Sequence, residues 1–103
     1  MYGQEQAVTV SANITGDAVV ASAPALYWGA TMAAGSTNTS LILYDNATEA
    51  SGTVIDRLVM DAATEAGDNS VTHLFAKPVS CANGIYADWT GTGAIGKVWY
   101  ESK

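Results

Sequence analysis

The chain has 103 residues, of which 49% are apolar and 14% charged, and its ten Asp and Glu against four Lys and Arg give a net charge of −6. That length fits one domain with one core and leaves little volume for an enclosed cavity. Arg57, Lys77, Lys97 and Lys103 are scattered along the chain, whereas nucleic acids and anionic membrane surfaces both require clustered cations, so neither is expected as a partner.

Short runs of β-branched and aromatic residues recur between Gly, Asn, Asp, Ser and Pro, which is the pattern of strands and turns. In Ala7 to Ile14, Val8, Val10, Ala12 and Ile14 alternate with Thr9, Ser11 and Asn13 at the two-residue period of a half-buried strand. Thr15-Gly16-Asp17 reads as a turn and Ala18 to Ser22 as a short strand. Ala23-Pro24 interrupts it, because proline lacks the N–H that a central ladder needs. Ala25 to Ala33 follows, with Leu26, Trp28, Ala30 and Met32 on one face and Tyr27, Gly29 and Thr31 on the other. Ser40 to Tyr44 is apolar on both faces, as a central strand between two layers is. Asp45-Asn46 turns the chain, and Ala47 to Gly52 is a loop.

Thr53 to Ala66 carries two patterns. Val54, Ile55, Leu58, Val59 and Ala62 fall on a helical stripe with Gly67 as its cap, while Thr53, Ile55, Arg57 and Val59 share one face of a strand. Asp61 and Glu65 narrow the helical stripe, so a strand through about Val59 and then a loop is expected. Ser70 to Ala76 alternates Val71, His73 and Phe75 against Thr72, Leu74 and Ala76, and Pro78 ends the strand or marks a sheet edge. Asn83-Gly84 spells a tight turn, and Gly84 to Thr90 is a strand with Ile85, Ala87 and Trp89 on one face. After Gly91-Thr92-Gly93, Ala94 to Glu101 sets Ile95, Lys97 and Trp99 opposite Val98 and Tyr100, so Asn83 to Glu101 is expected to form a hairpin. The whole predicts one all-β domain over residues 1–103, a sandwich of about eight antiparallel strands with the jelly roll as one form. Residues 1–6 precede the strands and form a candidate N-terminal arm.

Residues that carry chemistry are sparse. His73 is the one histidine and Cys81 the one cysteine, too few for a zinc site and unable to form an internal disulfide. A lone cysteine most often acts as a small buried hydrophobe, and the absence of a bridge fits folding in a reducing cytoplasm. His73, in an alternating strand, reads as structural. Asp17, Asp45 and Asp68 sit at turns, where Asp bonds its own backbone, and with Asp56, Asp61 and Asp88 they lack the spacing of a calcium loop. Gly91-Thr92-Gly93-Ala94-Ile95-Gly96 spells a dinucleotide fingerprint, but a strand follows where the helix must stand. The sequons at Asn13, Asn38 and Asn46 read as incidental in a chain whose first residues, Met1 to Gln6, show no basic segment leading into an apolar run. No catalytic residue, metal or cofactor is therefore expected. Trp28, Trp89 and Trp99 share faces with core-type residues, which places Tyr2, Tyr27, Tyr44, Tyr86 and Tyr100 on opposite faces or at strand ends as candidate interface residues. An aromatic sugar-binding platform is the second use of such residues.

Leu41-Ile42-Leu43-Tyr44-Asp45-Asn46 is followed by Gly52-Thr53-Val54-Ile55-Asp56 and by Phe75-Ala76-Lys77-Pro78-Val79. That last segment leads into Asn83-Gly84-Ile85-Tyr86-Ala87-Asp88 and Gly91-Thr92-Gly93-Ala94. Over residues 41–101 this order of strand and turn resembles a type of small virion protein of tailed phages. The resemblance implies a β-sandwich made in the host cytoplasm and carried on the particle, as a capsid decoration (cement) protein or a minor tail or fibre subunit. The implied partners are the major capsid protein and further copies of the chain, in a homotrimer. Such proteins supply no catalytic residues to carry over. Deleting residues 1–6 is expected to weaken attachment if they form an anchoring arm.

Overall fold

The computed structural model describes residues 8–33, 35–62 and 69–103. Eight strands cover them: β1 (Thr9–Val10), β2 (Ala18–Ala21), β3 (Ala25–Ala33), β4 (Thr39–Tyr44), β5 (Val54–Met60), β6 (Ser70–Cys81), β7 (Ile85–Thr90) and β8 (Ile95–Ser102). Val54–Met60 is therefore a strand and not a helix, and residues 63–66 of that ambiguous segment lie outside the described residues. The expected arm at residues 1–6, Tyr2 and Asp68 lie outside the described residues.

All strand pairs are antiparallel, and they form two four-stranded sheets, β1-β8-β3-β6 and β2-β7-β4-β5. The order has a simple origin. β1 pairs with β8, β2 with β7, β3 with β6 and β4 with β5, as along one long ribbon whose tip is the β4–β5 turn. The ribbon then rolls up, so that β3 also meets β8 and β4 also meets β7. This is the jelly-roll arrangement of a β-sandwich.

The roll overturns the expected hairpin over Asn83–Glu101. β7 and β8 lie in different sheets, and among the described strands only β4 and β5 are both consecutive and paired. Gly91 to Ala94 is instead a corner that crosses from one sheet to the other. It is held against the β3–β4 corner, where Ser36 N–H donates to Thr92 O at 3.0 Å and Thr92 N–H to Thr37 Oγ1 at 2.9 Å. Gly91, at φ +146°, lies so close to Thr39 that a Cβ would fall 2.7 Å from Oγ1. Asn83 has a negative φ, so Asn83-Gly84 is not the tight hairpin turn its spelling suggests. Its corner is stitched by Asp45, whose carboxylate accepts the Ala82 N–H at 3.2 Å and the Asn83 N–H at 2.8 Å.

The first strand is shorter than its alternation predicts. Only Thr9 and Val10 pair with β8, and Ile14 makes an isolated bridge to Gly96. Between them Ser11 Oγ accepts the Val98 N–H at 2.9 Å, so a side chain takes the place of a ladder rung. The break leaves Val8 and Val10 exposed and Ile14 buried.

Tyr27, Met32, Leu41, Leu43, Leu58, Cys81, Ile85 and Val98 fill the space between the sheets. In β3 the expected faces hold for Ala30 and Met32 but reverse for Leu26, Tyr27 and Trp28. Tyr27 pairs with Tyr100 and Gly29 with Trp99, so Trp28 is the extra residue of a β-bulge. One inserted residue exchanges the two faces. Tyr27 is thereby fully buried and Trp28 turned outward to half-burial. Trp99 is likewise half-buried on the outer face, and Trp89 alone of the three tryptophans joins the core.

Candidate functional site

Of the five tyrosines proposed from the sequence, the four described ones separate. Tyr27 is in the core, and Tyr100 leans inward against it. Tyr44 and Tyr86 come together as direct cross-strand partners on the outer face of the β2-β7-β4-β5 sheet. Register extends their row on both sides, because Val19 pairs with Tyr86 and Val54 with Tyr44. The next row is Asp88–Ile42–Arg57 and the third Thr90–Ser40–Val59. Val19, Val54 and Val59 are all exposed, Val59 to 62%. The outer face of the other sheet carries Val10, Leu74 and Ile95, with Leu74 68% exposed, beside half-buried Trp28 and Trp99. There Trp28 Nε1–H donates to Glu101 Oε1 at 2.7 Å. Isolated sandwiches ordinarily clothe such faces in polar residues, so both faces here are candidate contact surfaces.

Between the sheets lies a polar cluster. Asp56 points inward from β5, with its side chain only 12% exposed. Its carboxylate accepts the Tyr27 hydroxyl at 2.7 Å and the Arg57 N–H at 2.8 Å, and both its oxygens lie 3.1 Å from His73 Nδ1. A carboxylate only accepts, so Nδ1 is the protonated ring nitrogen. Phe75 meets the Tyr27 ring edge-on at a centroid distance of 5.5 Å. β5 and β6 are outer strands of their respective sheets, and Asp56 with His73 joins them where the sandwich is open. Burial and the adjacent Asp56 raise the Tyr27 hydroxyl far above the ordinary phenol range, so it stays a neutral donor. His73 thus has a carboxylate partner in Asp56. The sequence reading missed Asp56, although one signal was present. Asp56 alternates in phase with Leu58 and Met60, and a carboxylate on an apolar face needs buried donors.

The other acids act at longer range than turn chemistry predicts. Asp17 Oδ1 accepts the Trp89 N–H at 2.8 Å, and Asp45 holds the β6–β7 corner. The local turn belongs to Asn46, whose Oδ1 accepts the Thr48 and Glu49 N–H groups at 2.9 and 3.0 Å. Among the described residues no three His, Cys, Asp or Glu gather closely enough to hold a metal ion. A shallow cavity of about 200 Å³ opens between Ser11–Ile14 and β2, with Tyr100 on its wall.

Cys81 is fully buried, and burial followed by the nearby Asp45 charge pushes its thiol from 9.0 up to about 11. A raised acid pKa in the folded state means its contribution is complete below the unfolded value of 9.0 and is lost as pH climbs through about 11. Stability should therefore fall between those values, by about 3 kcal/mol from this group alone, with Tyr27 steepening the fall. Chemical denaturation across that range checks it. In Cys81→Ala the slope should shrink, and an unchanged slope would show that the thiol does not titrate with unfolding.

Comparison with known protein families, with characterised proteins and with solved structures returns no match to this chain.

Proposed function

We propose that this chain is a structural subunit of a viral particle, a capsid decoration protein that binds the major capsid protein and copies of itself and so stabilises the shell. The observation that carries the reading is the pair of outer sheet faces. Each presents aromatic and aliphatic side chains in register, where a sandwich living alone in water presents polar ones. Such a subunit needs two faces, one toward the shell and one toward its neighbours. The jelly-roll order gives support by analogy of fold, since the architecture recurs in capsid and lectin domains. Only 14% of its residues are charged, which reduces the desolvation cost of close contact.

A second reading, a sugar-binding module on a fibre, draws on the adjacent Tyr44 and Tyr86 with Asp88 in the next row. Particle sedimentation separates the two. The chain should band with purified particles, and Leu74→Asp with Trp99→Asp, or Tyr44→Asp with Tyr86→Asp, should lower occupancy about tenfold or more while leaving the far-ultraviolet circular dichroism unchanged. Particles that band without the chain, together with a glycan-array signal lost in the tyrosine variant, would replace the first reading by the second.

A further inference from the structure

We infer that the outer face of the β2-β7-β4-β5 sheet pairs with the same face of a second copy about a two-fold axis running along β4, an inference that rests on the subunit reading and names the face used for self-association. The argument lies in how charge is distributed across the strands. Ile42 stands at the centre, with Asp88 on β7 to one side and Arg57 on β5 to the other. Asp88 and Arg57 are two strand spacings apart, about 10 Å, and among the described residues neither forms an ion pair within the chain. Asp17, whose carboxylate accepts the Trp89 N–H, adds a second negative charge on the β2 side. The face is therefore acidic along one side, basic along the other and apolar between.

A two-fold contact is self-complementary only if its axis exchanges opposite charges. An axis along β4 does so. It sets Ile42 on Ile42 and Tyr44 on Tyr44, and it brings Arg57 of each copy to Asp88 of the other. An in-plane axis across the strands instead sets Asp88 on Asp88 and Arg57 on Arg57. A three-fold arrangement uses two different patches per subunit and leaves this internal antisymmetry unused. The face measures about 20 Å along the strands and about 15 Å across. That area belongs to small, transient interfaces.

Sedimentation equilibrium up to about 1 mM chain tests the pairing. The mass should rise from one copy to a plateau at two. Arg57→Asp and Asp88→Arg should each weaken association about tenfold or more, and the double exchange should restore it. That restoration reads the charge pairing even if one single variant loses stability. A chain that stays monomeric, a plateau at three copies, or single variants that associate as the parent does would each overturn the inference. A monomer in solution that still bands with particles removes the pairing and keeps the subunit reading. A charge-dependent dimer that is absent from particles does the reverse.

Discussion

Gly29→Ala is expected to be among the most damaging single substitutions, costing more than about 4 kcal/mol or preventing folding. A Cβ at this position would lie 2.1 Å from the His73 carbonyl oxygen and 3.1 Å from Leu74 Cα, both of them backbone atoms that no rotamer change can move. Gly29 also sits at φ +156°, outside the range that side-chain-bearing residues favour. The position matters because the bulge at Trp28 and Gly29 sets the phase of β3. Before it Tyr27 points inward, and after it Ala30 and Met32 do, so one strand supplies both the hydroxyl at Asp56 and the aliphatic floor of the core. β6 answers the bulge, with Phe75 to Pro78 standing opposite Trp28 between the Val79 and Leu74 pairings. Pushing β6 away would open the ladder at that point. Denaturant unfolding measures the cost, and Gly16→Ala is the control, because nothing lies within 4 Å of a Cβ there. The control should change stability by no more than about 1 kcal/mol. If Gly29→Ala were equally mild, the close β3–β6 approach would be wrong.

How far the sequence could be read depends on which interactions are local. The ends of β3, β7 and β8 were legible because alternation and Gly, Pro and Asn punctuation act over neighbouring residues. The face assignment within β3 was not, since nothing in Tyr27-Trp28-Gly29 marks an inserted residue. The bulge exists only relative to Tyr100 and Trp99 on another strand. The Asn83–Glu101 hairpin failed for a related reason. Corners that cross between sheets use the same glycines and asparagines as hairpin turns, and the choice is made by where β7 and β8 find partners, namely β2 and β4 for one and β1 and β3 for the other. The candidate site divides along the same line. Tyr44 and Tyr86 alternate with buried neighbours and so were placed outward correctly, but their meeting in one row is a matter of register. Tyr27, Asp56 and His73 come from three strands, and only Asp56 carried a trace of its role in its own segment.

Asp56→Ala should cost about 3 kcal/mol, more than either partner's removal. The carboxylate collects three donors, and deleting it leaves the Tyr27 hydroxyl, fully buried, with no acceptor among its described contacts. Tyr27→Phe removes the phenol together with its need for an acceptor. Asp56 keeps His73 Nδ1 and the Arg57 N–H, so that change should cost about 1 kcal/mol. His73→Gln should cost least, below about 1 kcal/mol, because the ring is a third exposed and water screens the pair. The decisive measurement is the double variant. Once the hydroxyl is gone, removing the carboxylate no longer strands a buried donor. Tyr27→Phe combined with Asp56→Ala should therefore be milder than the sum of the two by about 1–2 kcal/mol. Strict additivity would mean that the two groups do not depend on each other. The same cluster bears on how the subunit meets its neighbours. Among the described residues β5 and β6 are the outer strands, and an inward-pointing charge is one of the devices that keep such strands from adding further chains. Asp56→Ala should thus loosen the β5–β6 side first, and hydrogen exchange should quicken at Val54–Met60 and Ser70–Phe75 before it does in β4, β7 or β8.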